Sequence, residues 1–169
     1  MEFREIKEDI KPLFNEYISE WYDNNDKIVP WSTDVRHHGG FNSMLEMQKE
    51  AITPPKNSDF VRAKTFVLID RGIIVGAANI RYQLNDWLQQ VGGHVGYGVR
   101  RSERGKGYAT TILKYALEEL RNDFVEYALI TCDEDNFGSA KVIERNGGKE
   151  DKPYISESQN VTKRYWIKL

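Results

Sequence analysis

Residues 100–109 read RRSERGKGYA, a basic and glycine-rich stretch that lies between two segments of different periodicity. Before it, apolar residues alternate with small or polar ones, which predicts a strand over 94–99. After it, apolar residues recur at helical spacing, which predicts an amphipathic helix over 109–120. The stretch is therefore predicted to be a strand-to-helix loop.

This loop has the properties of an anion site. Gly105 and Gly107 have no side chains to keep a phosphate away from the backbone, while Arg104 and Lys106 can add charge-assisted contacts. The unpaired amides and the positive dipole end of the following helix also favour phosphate. Spacing excludes a Walker loop and a dinucleotide loop, since the latter needs Gly or Ala at Thr110. The alternative is a tight basic turn whose glycines serve only geometry.

The rest of the chain indicates a mixed α and β protein. Apolar periodicity, β-branched content and turn residues predict the following elements. They are helices over 10–21 and 41–51, a loop over 53–58, an antiparallel hairpin of 65–69 with 73–82, a buried strand over 127–132, a short helix over 136–145 and a final strand over 161–169.

Composition narrows the function classes. The 24 basic and 26 acidic residues leave a net charge of -2, so nothing global indicates a nucleic-acid or membrane partner. No apolar run reaches the ~20 residues that a membrane span needs, and the N-terminus has no signal-peptide pattern. Cys132 is the single cysteine, so no intrachain disulfide is possible, and a soluble, cytoplasmic protein is predicted.

The loop resembles the signature of the GNAT superfamily of N-acetyltransferases, which is Arg or Gln, two residues, Gly, one residue, then Gly or Ala. Residues 104–109 match it completely, and Asn136-Phe137-Gly138-Ser139-Ala140 with Asn146-Gly147-Gly148 resemble a second family segment, in which Gly148 replaces an aromatic residue. The resemblance covers residues 73–148. It implies an α+β fold, with a mixed, mostly antiparallel central sheet flanked by helices.

The same resemblance implies one N-acetyltransferase domain over 1–169. Within it, 1–64 would be acceptor-side helices, 65–148 the acetyl-CoA-binding core and 149–169 the C-terminal strands. Acetyl-CoA would be the co-substrate, and a small-molecule or peptide amine the acceptor; a homodimer is left open. The residues expected to bind acetyl-CoA are Tyr97, Gly98, Val99, Arg104, Gly105, Lys106, Gly107, Tyr108, Ala109, Thr110 and Asn136.

Within that set, the amides from Gly105 to Thr110 would hold the pyrophosphate of CoA. The backbone around 97–99 would pair with the pantetheine arm like an added strand, and Asn136 would bond to pantetheine. A backbone amide near Val99 would polarise the thioester carbonyl.

Two residues are candidates for catalysis. His94 lies where several relatives carry a Glu or His, and its usual pKa of ~6.5 suits a base; a packed or solvated strand histidine is the alternative. Ser139 is a candidate for contacting the thiol leaving group, because the Asn-x-x-Ser form resembles the serine-type ribosomal-protein acetyltransferases; a structural role is the alternative.

Two other catalytic positions of relatives are replaced here. Ile143 stands where the tyrosine type carries its general acid, and Thr131 stands where some relatives carry a glutamate. These replacements motivate a rival interpretation, a CoA-binding or interaction module that keeps the fold without transferring an acyl group.

The sequence argues against a metal site and against a nucleophilic cysteine. Residues 133–144 imitate a calcium loop but have Phe137 at a ligand position, and His37-His38 lacks further zinc ligands. Cys132 is predicted to fill core rather than attack substrate. Five aromatic residues, Trp21, Tyr22, Trp31, Phe41 and Trp87, are predicted to be mainly core, with Trp31 the one that best fits the edge of an acceptor site.

Overall fold

The computed structural model describes residues 1–56 and 58–169, and this part of the chain contains seven strands and five α-helices. The strands are β1 Glu2–Glu5, β2 Ala63–Asp70, β3 Ile73–Arg81, β4 Val95–Val99, β5 Tyr127–Asp133, β6 Lys149–Ile155 and β7 Val161–Lys168. The helices are α1 Lys11–Asp23, α2 Phe41–Glu50, α3 Asp86–Gln90, α4 Tyr108–Asn122 and α5 Phe137–Arg145.

The strands form two antiparallel sheets with helices packed against them, so the predicted fold class is confirmed. The first sheet has the order β1-β2-β3-β4 and the second the order β5-β7-β6. The prediction of one central sheet differs from the structure, because β4 and β5 touch only where β4 begins. There the His94 N–H donates to the Leu129 carbonyl at 2.7 Å, and His94 Nδ1 accepts from the Leu129 N–H at 2.9 Å.

Helix α4 confirms the helix predicted from the apolar stripe. Its inward residues are almost fully buried and pack against the face of the first sheet that carries Val75, Ala78 and Val99. The buried stripe consists of Ile112, Leu113, Ala116, Leu117 and Leu120. Burying such side chains contributes roughly 1.5–3 kcal/mol each, so this packing holds the start of α4 firmly beside the end of β4.

Helices α1 and α2 cover the opposite face of the first sheet. Phe14, Tyr17, Trp21, Phe41 and Met44 pack there against the sheet. The predicted core role is therefore confirmed for Trp21 and Phe41.

The remaining aromatic residues of that group behave differently. Tyr22 is half-buried, whereas Trp31 and Trp87 are exposed by 54% and 61%.

Three elements lie outside the segments that periodicity predicts. The N-terminal segment is expected to be helical, yet residues Glu2–Glu5 form β1, which pairs with the distant strand β2. Helix α3 depends on a local cap, since Asn85 Oδ1 accepts from the Leu88 N–H at 2.8 Å. Strand β6 is largely polar and exposed, so its sequence carries no clear alternation.

The other predicted elements agree with the structure within two residues at their ends. The predicted loop over 53–58 is confirmed for its described part, and Asn57 lies outside the described residues. No helix of residues 1–56 and 58–169 is long and apolar enough to cross a membrane.

Candidate active site

The loop between β4 and α4 has the backbone conformation that its glycines allow. Gly105 and Gly107 have φ angles of +78° and +87°, in the left-handed region that other residues rarely adopt. A Cβ atom added at either position would meet no protein atom within 4 Å. The glycines are therefore required by conformation, and the open side of the loop leaves room for a ligand.

Six consecutive backbone amides of the loop are unpaired among the described residues. Within the described chain, the N–H groups of residues 105–110 donate no hydrogen bond, and the first helical bond runs from the Thr111 N–H to the Gly107 carbonyl at 3.2 Å. Helix starts leave such donors unpaired, and the helix dipole adds positive potential there. The start of α4 can hold a phosphate group through its backbone.

The basic side chains of the loop are already paired with acids. Arg104 Nη2 lies 2.9 Å from Asp26, and its Nε donates to the Val99 carbonyl at 3.0 Å. Lys106 Nζ lies 3.0 Å from Glu103. The structure thus gives Arg104 and Lys106 partners of their own, and the backbone supplies the unpaired donors.

The base of the loop is tied to α1. Glu20 accepts from Arg100 Nε at 2.5 Å, from the Ser102 N–H at 2.7 Å and from the Ser102 hydroxyl at 2.9 Å. Burial alone would raise the pKa of the Glu20 carboxyl, but the hydrogen bonds from Ser102 and Arg100 keep it below its usual value. Helix α1 therefore fixes the path of the loop through a partly buried charge pair.

A cleft of about 590 Å³ runs from this loop between β4 and α5. Its walls include almost all of the residues predicted to bind acetyl-CoA, together with Trp21 and Val29 from the N-terminal part. The lining residues from that set are Tyr97, Gly98, Val99, Arg104, Gly105, Gly107, Tyr108, Ala109, Thr110 and Asn136, whereas Lys106 does not line the cleft. Ser139, predicted as a catalytic residue, lines it as well. Residues predicted from separate segments thus lie around one cleft.

The cleft also has basic residues that the sequence prediction missed. Lys27, Lys141 and Arg145 line it, and they form no ion pair with any described residue. Lys141 and Arg145 lie one turn apart on α5. Their spacing of four residues on the helix that follows Asn136 could have indicated that they share a face with it.

The edge of β4 adds backbone donors to the cleft. The Arg81 N–H donates to the His94 carbonyl and the Arg100 N–H to the Val75 carbonyl, so even-numbered residues of this strand bond to β3. In an antiparallel pair the residues between them direct their backbone groups the other way. The N–H groups of Tyr97 and Val99 consequently face the cleft.

Asn136 and Ser139 form the start of α5. Asn136 Oδ1 accepts from the Ser139 N–H at 3.0 Å and so caps the helix. The Asn136 side-chain amide makes no hydrogen bond inside the described part of the molecule and lies on the cleft wall. Its donor is therefore available to a ligand.

Tyr97 contributes more than backbone. Tyr97 packs against the hydrophobic core and also lines the cleft, and its hydroxyl lies 2.8 Å from the Ser139 hydroxyl. Burial raises the pKa of Tyr97 to about 12. Sequence reasoning missed this contact because the two residues are 42 positions apart.

His94 lies outside the cleft and in surroundings that disfavour a base. Its side chain is 5% exposed, and Nδ1 already accepts from the Leu129 amide. Burial lowers the pKa of His94 to about 4, and the nearby Arg81 acts in the same direction. These contacts fit a structural role at the junction of β4 and β5.

The replaced catalytic positions are structural as well. Ile143 is completely buried, and Thr131 Oγ1 accepts from the Gly92 N–H at 3.0 Å. Cys132 is buried, which raises the pKa of its thiol to about 11. It is therefore a poor nucleophile at neutral pH.

The described residues contain no group of three or more His, Cys, Asp or Glu side chains that could hold a metal ion. His37 and His38 instead pack edge-on against Trp31, with ring centroids 4.7 and 4.4 Å from it.

Backbone donors for a diphosphate, next to a strand edge that can pair with an extended arm, define the class of an acyl-CoA-binding transferase. A family model described as an acetyltransferase (GNAT) domain matches residues 1–149. The chain belongs to the GNAT acetyltransferase family, whose members use acetyl-CoA to acetylate amines, and it is an N-acetyltransferase.

Solved structures with little sequence identity share the fold. A ribosomal-protein-S5-alanine acetyltransferase from Vibrio fischeri is similar with a TM-score of 0.71 at 14% identity, over 98% of this chain and 91% of that one. A mutant of a spermidine N-acetyltransferase from Vibrio cholerae gives 0.67 at 16% identity, over 99% and 95%. The yncA protein from Salmonella typhimurium, determined with its cofactor acetyl-CoA, gives 0.63 at 13%, over 99% and 93%. No curated protein matches the chain by sequence.

Proposed function

We propose that this enzyme transfers the acetyl group of acetyl-CoA directly to a primary amine in the cleft between β4 and α5. The observation that carries the proposal is the row of six unpaired amides over 105–110, next to a strand edge with further unpaired N–H groups. The first would bind the pyrophosphate of CoA and the second its pantetheine arm.

Each part of the co-substrate has a matching set of residues. The amides of 105–110 suit the pyrophosphate, and Lys141 and Arg145 on α5 add positive charge close by. The backbone of Tyr97–Val99 suits the amide groups of pantetheine, and the Asn136 side chain faces the same arm. Gly98 keeps the strand thin, since a Cβ there would lie 2.3 Å from the Val29 carbonyl oxygen.

The reaction needs a neutral amine, a polarised carbonyl and a stabilised leaving group. In our proposal, the Val99 N–H polarises the thioester carbonyl and the Ser139 hydroxyl contacts the leaving sulfur. Since burial of His94 disfavours its role as base, we propose that the amine loses its proton to water. Positioning then supplies much of the rate acceleration.

We propose that the acceptor approaches from the face covered by α1 and α2, where residues 1–64 lie. Exposed Trp31 with its two histidine neighbours is a candidate edge of that approach. A ribosomal-protein alanine and spermidine are the acceptors named for two fold neighbours. A peptide amine and a polyamine are therefore the first acceptors to test, in a protein that we expect to work in the cytoplasm.

The binding half of the proposal is tested with Gly107→Glu. A glutamate there places negative charge among the phosphate-binding amides and strains a left-handed backbone. We expect calorimetry to show acetyl-CoA binding by the native protein and loss of at least about 100-fold in affinity in the variant. Gly39→Glu is the matched control, because Gly39 also has a positive φ and open surroundings but does not line the cleft.

The transfer half is tested by thiol release from acetyl-CoA with a panel that includes spermidine and a peptide with an N-terminal alanine. Amine-dependent release supports the enzyme. Tight acetyl-CoA binding with no release on any amine would favour the rival, a CoA-binding module, which the replacements at Ile143 and Thr131 motivate. If native protein gives no binding heat, the cleft assignment itself is wrong.

A further inference from the structure

The cleft contains a pair of hydroxyl groups in direct contact. Tyr97 on β4 and Ser139 in the first turn of α5 approach to 2.8 Å between their oxygens, and both residues line the cleft. The Ser139 backbone is fixed by the Asn136 cap, with 3.0 Å between Ser139 N and Asn136 Oδ1. Two rigid elements therefore hold the two hydroxyls together.

The other tyrosine of the cleft is engaged elsewhere. The Tyr108 hydroxyl donates to Asp70 at 2.6 Å, which directs it away from the β4–α5 gap. Position 143, on the next turn of α5, holds a fully buried isoleucine without a polar group. Tyr97 is thus the tyrosine whose hydroxyl reaches Ser139.

We propose that Tyr97 is a positioning residue for acetyl transfer: its hydroxyl donates to Ser139 Oγ and thereby directs the Ser139 hydroxyl proton toward the sulfur of the departing thiolate. This inference rests on the proposed function. Ser139 would contact the reacting sulfur, whereas Tyr97 would act only through Ser139.

The chemical step balances without any further reactant. The amine nitrogen attacks the carbonyl carbon, a C–N bond forms, the C–S bond breaks, and its electron pair stays on sulfur. Ser139 and Tyr97 keep their protons in a chain of two hydrogen bonds that lowers the energy of the developing thiolate. The proton of the attacking nitrogen goes to water, and water later protonates the thiolate.

The 2.8 Å contact allows either hydroxyl to donate, and in our proposal Tyr97 is the donor. Burial raises the pKa of Tyr97, which is consistent with a phenol that keeps its proton around neutral pH. A hydroxyl accepts and donates at once. When Ser139 Oγ accepts from Tyr97, its own proton becomes free for the sulfur.

The product CoA tests this without knowledge of the acceptor. The thiolate of bound CoA absorbs in the far ultraviolet, and its titration gives the pKa of the bound thiol after subtraction of the protein alone. The variants are Tyr97→Phe, Ser139→Ala and the double variant. Tyr115→Phe is the control, since Tyr115 lies on α4 and packs against Phe3 away from the cleft.

Hydrogen bonds to the thiolate should lower the pKa of the bound thiol. We expect Tyr97→Phe and Ser139→Ala each to lower the thiolate-to-thiol ratio about tenfold, the size expected for one charge-assisted hydrogen bond. The double variant should match Ser139→Ala alone, because the two residues act in series. CoA affinity at a pH where the thiol is neutral should change less than about twofold.

Three results would overturn the inference. An unchanged thiol pKa in Tyr97→Phe would leave Tyr97 with only a packing role. An unchanged thiol pKa in Ser139→Ala would show that no hydrogen bond from Ser139 reaches the sulfur. Additive effects in the double variant would mean that the two act separately. Absence of CoA binding to native protein would instead refute the proposed function on which the inference rests.

Discussion

His94 and Tyr97 lie on opposite faces of the same short segment, and their surroundings give them different roles. His94 is enclosed at the junction with β5 and accepts a backbone hydrogen bond, whereas the Tyr97 hydroxyl reaches the cleft. At the scale of single residues, the predicted strand over 94–99 puts both residues close to the loop at the start of α4. Which atoms each one contacts depends on β5 and α5, which follow much later in the chain.

The buried His94 predicts a pH dependence of stability. Its pKa is about 4 in the folded chain against a usual 6.5, so the unfolded chain binds more protons between these values. The His94 contribution should be complete above about pH 6.5 and lost as the pH falls toward 4, by about 3 kcal/mol in total.

The measurement is urea unfolding at a series of pH values for native protein and His94→Asn. The Asn Oδ1 atom can replace Nδ1 as an acceptor but does not titrate, so the acid-dependent loss should be smaller in the variant by that amount. Other acidic groups titrate equally in both proteins. Parallel curves for the two proteins between pH 6.5 and 4 would contradict the prediction.

At the scale of elements, the loop between β4 and α4 depends on α1. Helix α1 supplies Glu20 to Arg100 and Ser102, and the segment after α1 supplies Asp26 to Arg101 and Arg104. Acidic residues of the N-terminal region thus hold the loop that leads into α4.

Replacing Glu20 by Gln should destabilise the chain and weaken acetyl-CoA binding. The Arg100 side chain is only 9% exposed, and it would lose the charge partner that lies 2.5 Å away. Uncompensated buried charges cost about 3 kcal/mol, and the Gln amide nitrogen cannot accept the hydrogen bonds that one Glu20 oxygen takes from Arg100 and from the Ser102 hydroxyl.

Glu16→Gln is the matched control. Glu16 belongs to the same helix and faces the same arginine at 3.5 Å, but its side chain is 60% exposed. Exposed pairs contribute less than about 1 kcal/mol. Equal losses in the two variants, read from urea unfolding, would show that burial of the Glu20 pair is unimportant.

The elements that could be predicted from sequence are those whose pattern involves only residues close together in the chain. The apolar stripe of α4, the turn residues of the β2–β3 hairpin and the glycines of the loop each act over a few neighbours. Strand β1 and the Glu20 anchor could not be predicted, because they depend on partners 59 or more residues away. The ion pair of Arg104 with Asp26 was missed for the same reason.

At the scale of the whole molecule, the two separate sheets allow one ligand to contact, and so stabilise, both halves of the protein. Two sheets meet at His94 and Leu129, and the cleft separates the rest of β4 from α5. A molecule bound in this cleft would contact both halves of the protein. At a concentration about 100 times its dissociation constant it would stabilise the fold by about 2.7 kcal/mol.

Hydrogen exchange should locate that effect. We expect the amides of 105–110, together with Tyr97 and Val99, to exchange quickly without ligand and slowly with acetyl-CoA. Amides in the middle of β2, which pair with β1 and β3, should be slow in both conditions. Protection confined to β6 and β7 would place the ligand elsewhere.

The open edge of β4 also affects how readily the protein aggregates. Unpaired strand edges are where chains add to one another, and most proteins shorten, charge or cover them. In the proposed function this edge stays unpaired because acetyl-CoA binds along it. Bound acetyl-CoA would then also cover the edge, and the enzyme without it would be more open to aggregation.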